Sequence, residues 1–521
     1  MSVITRRAFV GGAASAVFSA HTARKGFAWQ ATPKKLTVHV NAPVGTIRPE
    51  LHSHFAEHLG SCIYGGLWVG KNSPIPNING HRREAVEYLK ALGIPVLRWP
   101  GGCFADDYHW RDGIGPAEKR PRRVNIWWGM YTEDNSFGTH EFIELCGLIG
   151  AEPYIAGNVG SGTPQELREW MEYCNYPSGS TLSDERIANG AKEPFQVKYW
   201  GVGNENWGCG GTMTPEEYAG QYRRFSTYLA RRANSFGGMR PYLIACGPNR
   251  NDTEWSRRFL QGLERRGMFF LSGFAMHYYS NSKSYATQFT PEAMREQLSS
   301  FAEIEKAVVQ QHALLRSFDP EGRVDLLLDE WGVWDRIAEE DVKRYGALWQ
   351  QITMRSAVAA ALGLNLFHRQ ADKLAMTNIA QTVNVLHSLL LTEKEKCVRT
   401  STYYAFELAK PHRGKASVRF ESDDKDPLGL SVSASRSEGE VVLTLVNPGQ
   451  DRAMTVDCAL AGAAAGSATG RILQHADLNA CNTFEAPNTI VPREHRVEMA
   501  RGGMRIELPP LGIVTATARL V

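Results

Sequence analysis

Apolar residues in this chain gather in short runs, and between the runs lie longer stretches in which they recur at three and four positions. From about residue 50 the alternation repeats. Short runs stand at 51–57, 95–99, 152–158, 197–204, 242–247, 273–279, 324–330 and 364–368, each followed by a glycine, asparagine or acidic stop. Helical spacing fills 81–92, 139–149, 215–234, 291–317 and 341–362. Strand and helix in alternation imply parallel pairing, and eight such units predict a (β/α)8 TIM barrel over residues 51–395. A doubly wound open sheet would need a Gly-rich phosphate turn after its first strand, and none follows 51–57.

After about residue 398 the period changes. Runs at 416–420, 430–434, 441–446, 454–458, 471–474, 504–508 and 513–518 alternate or are β-rich, with turn residues between them. They predict a C-terminal β-sandwich domain over 396–521, with 459–470 as a small-residue loop. Within 32–50, the run 36–40 adds an N-terminal edge strand to that sandwich.

Composition narrows the class. Of 521 residues, 43% are hydrophobic and 22% charged, which is globular composition with material for large cores. Lys and Arg number 58 against 55 Asp and Glu, and no basic block is long enough for a nucleic-acid footprint, so nucleic acid is not an expected partner. The 13 Trp, 18 Tyr and 21 Phe suit stacking on sugar rings as well as core packing. The nine cysteines contain no C-x-x-C pair, which argues against a zinc ribbon or a small disulfide scaffold.

Thr5-Arg6-Arg7-Ala8-Phe9-Val10, followed by a weakly apolar run to Ala20, resembles a twin-arginine export signal over residues 1–31, with cleavage near Ala23 or Ala31. The run is too short and too rich in Gly and Ala to span a bilayer, and no later segment reads as a membrane span. A periplasmic or extracellular location follows.

Reactive groups of such a barrel sit at the C-terminal ends of its strands. Glu205 ends the fourth run and Glu330 the seventh, 125 residues apart, which places them across one mouth. Two carboxylates about 5 Å apart suit retaining glycoside hydrolysis, in which one attacks the anomeric carbon and the other protonates the leaving oxygen. A surface role is the alternative for any single glutamate. A metal centre built on His52, His54 and His277 is a further alternative, but it lacks a bridging Lys and further His at the fourth and fifth strands. The glycosidase reading needs neither a metal nor an organic cofactor.

Several motifs carry a resemblance. Phe55-Ala-Glu-His-Leu-Gly, Arg98-Trp-Pro-Gly-Gly-Cys-Phe-Ala-Asp-Asp-Tyr-His-Trp-Arg-Asp-Gly-Ile-Gly-Pro, Gly203-Asn-Glu-Asn-Trp-Gly and Asp329-Glu-Trp occur in this order. Asn378-Ile-Ala-Gln-Thr-Val-Asn-Val-Leu and Thr400-Ser-Thr-Tyr-Tyr-Ala-Phe-Glu follow them. Over residues 36–521 the chain resembles glycoside hydrolase family 51, the α-L-arabinofuranosidases. The resemblance implies Glu205 as acid/base and Glu330 as nucleophile. It implies Asn204 on the sugar 2-hydroxyl, Glu57 and Gln381 on other hydroxyls, Arg98 and Tyr279 on the nucleophile's carboxylate, and Trp128 and Trp334 as aromatic walls. A structural ion pair between Glu57 and Arg98, and plain core packing of the tryptophans, are the alternatives.

One position departs from many relatives: Cys103 stands where an Asn often contacts the sugar, and a thiol is a poor hydrogen-bond partner. With Cys209 on the same rim, a Cys103–Cys209 disulfide lining the pocket is expected, against two unpaired buried thiols. The implied activity is removal of terminal α-L-arabinofuranosyl groups from arabinoxylan, arabinan or their oligosaccharides. Endo-β-glucanase or β-xylosidase action, or sugar binding without catalysis, are the rival readings. Family analogy adds a homo-oligomer, a hexamer.

Overall fold

The computed structural model describes residues 28–29, 32–230, 238–500 and 502–521. The export signal expected at 1–31 falls outside this set except for Ala28–Trp29, which pairs in parallel with Arg452 and Ala453.

Eight parallel strands close a barrel: Ser53–Phe55, Val96–Trp99, Glu152–Gly157, Tyr199–Val202, Tyr242–Asn249, Gly273–Tyr285, Asp325–Arg336 and Leu374–Ala380. The last strand pairs with the first, Asn378 to Ser53. Inside, Val96, Tyr154, Tyr199, Ile244, Ala275, Leu327 and Met376 form a packed layer drawn from seven of the strands, so the interior is a core and not a pore. The outward residues of the same strands, such as Leu97, Ile155, Trp200 and Leu328, pack under the helical ring.

The eighth strand corrects the sequence expectation. Residues 364–368 lie in the helix Met354–Arg369, and the strand is Leu374–Ala380. That helix is buried on nearly every side because it is wedged between barrel and sandwich, where Asn365 donates to Ser431 Oγ and the Thr444 carbonyl. A helix apolar all round loses the amphipathic signature and reads like a buried strand. The stretch 341–362 accordingly divides between Glu339–Tyr345 and Met354–Arg369.

The C-terminal domain is a mostly antiparallel sheet whose two arms share one apolar core: Val432, Leu443 and Val514 of one arm meet Val456, Met504 and Ile506 of the other. Lys34–Thr46 is an interior strand of it and not an edge, lying antiparallel to Ala416–Ser422 and parallel to Arg452–Ala461. Residues 459–470 are mostly strand, with the turn at Gly462, because Ala465–Leu473 pairs along Ile513–Leu520. Backbone pairing there overrides the poor β-propensity of Ala and Gly.

Candidate active site

The strand ends converge on a cavity of about 250 Å³ at the C-terminal mouth of the barrel, lined by Glu57, Gly102, Cys103, Trp128, Glu205, Trp207, Tyr279, Glu330, Trp334 and Gln381 among others. Glu330 reaches it through a local irregularity. On the sixth strand Met276 pairs with Leu328 and the next residue, His277, with Glu330, so Asp329 is an extra residue. The bulge turns two consecutive carboxylates inward: Asp329 accepts from Tyr154 Oη at 2.5 Å and Asn378 Nδ2 at 3.0 Å, while Glu330 faces the cavity. Past the bulge the alternation resumes, with Trp331 and Val333 on the outer core.

Glu330 is held from both sides. Arg98 Nη1 donates to its Oε1 at 2.9 Å and Tyr279 Oη to its Oε2 at 2.8 Å. Arg98 also donates to Asn204 Oδ1 and lies 3.8 Å from Asp329. The alternative pairing of Glu57 with Arg98 is replaced by these contacts. Glu57 instead accepts from the Phe104 backbone N–H at 3.0 Å, Trp128 Nε1 at 2.9 Å and Gln381 Nε2 at 2.9 Å. Gly101 and Gly102 make room for this: a Cβ on Gly102 would stand 3.0 Å from Glu330 Oε1, and one on Gly101 2.5 Å from Glu57 Cγ.

Glu205 sits in the turn after the fourth strand at φ +42°, a left-handed conformation that the surroundings hold in place. Gly208 and Gly210 donate their N–H groups to its carbonyl. Asp106, reached from the loop after the second strand, accepts from the N–H groups of Val159 at 2.6 Å, Gly160 at 2.8 Å and Asn204 at 2.7 Å. One buried carboxylate thereby ties together the ends of three strands, and burial lifts it to about 7 against those three stabilising bonds. The structure joins Cys103 and Cys209 in a disulfide, which links the same two loops on the cavity wall, and Cys209 Sγ lies 3.7 Å from Glu205 Oε2.

His277 stands between the two glutamates, its Nδ1 2.9 Å from Glu205 Oε1 and 3.6 Å from Glu330 Oε2. A carboxylate oxygen of each glutamate lies within 4.8 Å of the other. Burial raises Glu205 above the ordinary carboxylate range, with the Glu330 charge adding to it and His277 opposing it. Burial also pushes Glu330 upward, but the charges of His277 and Arg98 together with the Arg98 and Tyr279 hydrogen bonds outweigh it, and the group falls below its usual value. Burial opposes the His277 charge, yet the two glutamates win and raise it. One carboxyl is thus biased neutral and its neighbour ionised. Glu57 is pushed up to about 7, by burial first and by Glu330 second.

Among the described residues two buried polar atoms at the site have no hydrogen-bond partner: Asn204 Nδ2, beside Glu205, which can donate, and Gln381 Oε1, in the cavity wall, which can accept. They are what a polyhydroxylated ligand would satisfy. Trp334 meets Tyr279 edge to face at 5.2 Å, and Trp128, anchored on Glu57, closes the other side. His52 and His54 do not join His277. They lie outside the barrel wall, where His52 Nε2 meets His368 Nε2 at 2.8 Å and His54 packs on Phe406.

Sequence reasoning gave no role to Asp106 or Asp329 and met His277 only as a metal ligand. An acid three residues past the Gly-Gly-Cys turn, and an acid preceding the strand-end glutamate, were the available signals.

A carboxylate pair of split proton affinity beside unpartnered donors and acceptors, at the mouth of a parallel barrel, is the apparatus of a glycoside hydrolase. The comparisons agree. Residues 88–296 match the family model described as α-L-arabinofuranosidase 1 domain, and 329–512 that of the α-L-arabinofuranosidase C-terminal domain. The chain is 43% identical over 498 residues to a protein of Bacteroides ovatus named intracellular exo-α-L-arabinofuranosidase, covering 92% of this chain and 94% of that one. It is 33% identical over 439 residues to α-L-arabinofuranosidase C of Emericella nidulans, covering 79% and 84%. The crystal structure of the family GH51 arabinofuranosidase of Xanthomonas axonopodis pv. citri superposes with a TM-score of 0.89 at 37% identity, covering 93% of this chain and 99% of that one. The chain belongs to the α-L-arabinofuranosidases of glycoside hydrolase family 51.

Proposed function

We propose that this α-L-arabinofuranosidase is exo-acting and retaining, and that it releases terminal α-L-arabinofuranosyl groups from arabinoxylan, arabinan or their oligosaccharides by double displacement. The observation that carries the reading is the Glu205–His277–Glu330 cluster, with its close carboxylates biased in opposite directions. Neutral Glu205 gives its proton to the glycosidic oxygen as ionised Glu330 bonds to the anomeric carbon. Once Glu330 is esterified its charge is gone, the repulsion that helped keep Glu205 protonated disappears, and Glu205 becomes the base that takes a proton from water. Water attacks the anomeric carbon, the ester bond breaks, and Glu330 is restored. Asn204 Nδ2 donates to the 2-hydroxyl, Glu57 and Gln381 hold the remaining hydroxyls, and Trp128 and Trp334 wall the ring. A cavity of about 250 Å³ closed by these side chains has room for one terminal sugar, which favours exo action.

Hydrolysis of an aryl α-L-arabinofuranoside tests this. The wild type turns over, Glu330→Ala does not, and azide rescues Glu205→Ala with release of an arabinosyl azide of retained configuration. Turnover of aryl β-xyloside or β-glucan in place of the arabinofuranoside overturns the sugar assignment. Sugar binding without any turnover overturns catalysis.

Export by the twin-arginine route is also proposed, on the Arg6-Arg7 motif and on a rim disulfide suited to an oxidising compartment. The Bacteroides ovatus relative is named intracellular, so the test is direct: fractionation of cells expressing the full chain and its Arg6→Lys, Arg7→Lys variant, with retention of both inside the cell sinking the proposal. Among the described residues no helix is long and apolar enough to cross a membrane. The hexamer implied by family resemblance is a proposal for light scattering to test.

A further inference from the structure

The sheet face that carries Glu330 continues beyond the barrel rim. Gly332, Trp334 and Arg336 follow Glu330 at alternate positions of the seventh strand, and Tyr279 and Asn281 of the sixth pair with Gly332 and Trp334. Asn281 and Trp334 line both the catalytic cavity and a second, open trough of about 640 Å³, which also takes in Lys283 and Arg336. The two spaces are therefore neighbours across one pair of side chains.

Three cations mark this path. Arg250, on the wall of the catalytic cavity, is exposed; its Nη2 donates to the Tyr279 carbonyl at 3.1 Å. Arg336 is exposed and its guanidinium lies 4.7 Å from the centre of the Tyr285 ring. Lys283, also exposed, lines the trough with Arg336. Some surface arginines take carboxylate partners, as in Arg123–Asp112, Arg258–Glu216 and Arg505–Asp457, but no ion pair engages these three among the described residues. The one carboxylate lining the trough, Asp335, is 2% exposed and is taken up by Arg355 and Gln297. Arg336 also lines a further cavity with Glu340 and Asp341, neither of which ion-pairs with it, and the cationic stretch ends there.

Resting on the function proposed above, we propose that this trough holds the acceptor chain and selects acceptors that carry a hexuronate carboxylate. Glu205 protonates the departing oxygen, so the leaving chain emerges on its side of the cavity, over Arg250 and Asn281. Trp334 then offers an aromatic face for a neutral ring, and Arg250, Lys283 and Arg336 offer charge to an acidic one. A cation that no protein carboxylate neutralises is free to recognise one on a ligand.

The test compares kcat/KM on an arabinoxylan bearing glucuronic acid with that on the same polymer after its carboxyls are reduced to alcohols, and repeats the pair with arabinan on a galacturonate-containing backbone. The expected preference for the acidic form is roughly three- to tenfold at low salt, falling away near about 0.5 M salt and in Lys283→Ala, Arg336→Ala. The polymer pair that shows it identifies the source of the uronate. Equal rates within both pairs at low salt, or a preference unchanged in the double variant, overturns the inference. Wild-type hydrolysis of the aryl α-L-arabinofuranoside separates the two proposals: its absence defeats the function, while its presence without an acid preference defeats this inference alone.

Discussion

The mouth of the barrel and its outer seam with the sandwich both bury titratable side chains, and they do so in opposite ways. At the mouth, Glu205, Glu330, His277 and Arg98 are assembled as charges that raise and lower one another. At the seam with the sandwich, His52, His54, His368 and His412 are fully buried, and each is held well below the usual histidine value of 6.5, by burial first, with Arg413 opposing the charge of three of them. His412 accepts or donates only to hydroxyls, Ser435 at 2.8 Å and Thr444 at 2.9 Å, and His368 stacks between His52 and His412. The mouth sets charges against one another, whereas the seam keeps its histidines neutral, with His54 Nδ1 and Nε2 and His52 Nδ1 left without a hydrogen-bond partner among the described residues. Neither burial nor an unpartnered polar atom by itself thus marks an active site; a cluster of charges that shift one another's proton affinity in opposite directions does.

The largest expected effect separates the two regions directly. Glu330→Ala lowers kcat by about 10⁴-fold with the fold retained by circular dichroism, whereas His368→Ala leaves kcat within about twofold and lowers the free energy of unfolding by about 2–3 kcal/mol. A seam variant that abolishes turnover at full stability would erase the distinction.

Acid comes next. A neutral buried histidine binds no proton in the folded state while its unfolded counterpart does, so its contribution is complete above about 6.5 and is lost as pH falls below that value. Each such group adds up to about 1.4 kcal/mol per pH unit to the slope of unfolding free energy between about pH 6.5 and its folded value, about 3 for His412. Urea titrations at pH 7, 6 and 5 should show stability falling, and His412→Gln should flatten the slope by nearly one proton. A slope independent of that substitution would mean the seam is not the sensor.

Asp106→Asn is expected to cost about 10- to 100-fold in kcat with little change in KM for an aryl substrate, because an amide cannot accept three backbone N–H bonds with both of its ends and the Asn204–Glu205 turn loosens. A purely stabilising role would lower the melting temperature without altering kcat at a temperature where the variant is folded.

His277→Ala gives the smallest shift. Removing its positive charge and hydrogen bond lets both Glu205 and Glu330 rise, so both limbs of the pH profile of kcat/KM move upward. Movement of one limb only would mean that His277 serves a single glutamate.

Much of this molecule is legible in its residues. Seven barrel strands and most of the sandwich strands announce themselves by period, and Glu205 and Glu330 by their place at strand ends. What stays hidden is set by neighbours distant in sequence. The end of the helix Met354–Arg369, residues 364–368, reads as a strand because its burial on all sides depends on a sandwich that begins some fifty residues later. Asp106 reads as an ordinary loop acid because its three donors come from Val159, Gly160 and Asn204. The small-residue part of a strand, 465–470, is invisible until Ile513–Leu520 lies beside it.

The sequence by itself determines the alternation of strand and helix, the change of period near residue 398, and the carboxylates available for chemistry, because these are local properties of spacing and residue type. Only the tertiary structure decides which carboxylate is neutral and which ionised. That depends on a single extra residue at Asp329 turning Glu330 into the mouth, on His277 and Arg98 arriving from other strands, and on the loss of water around all of them.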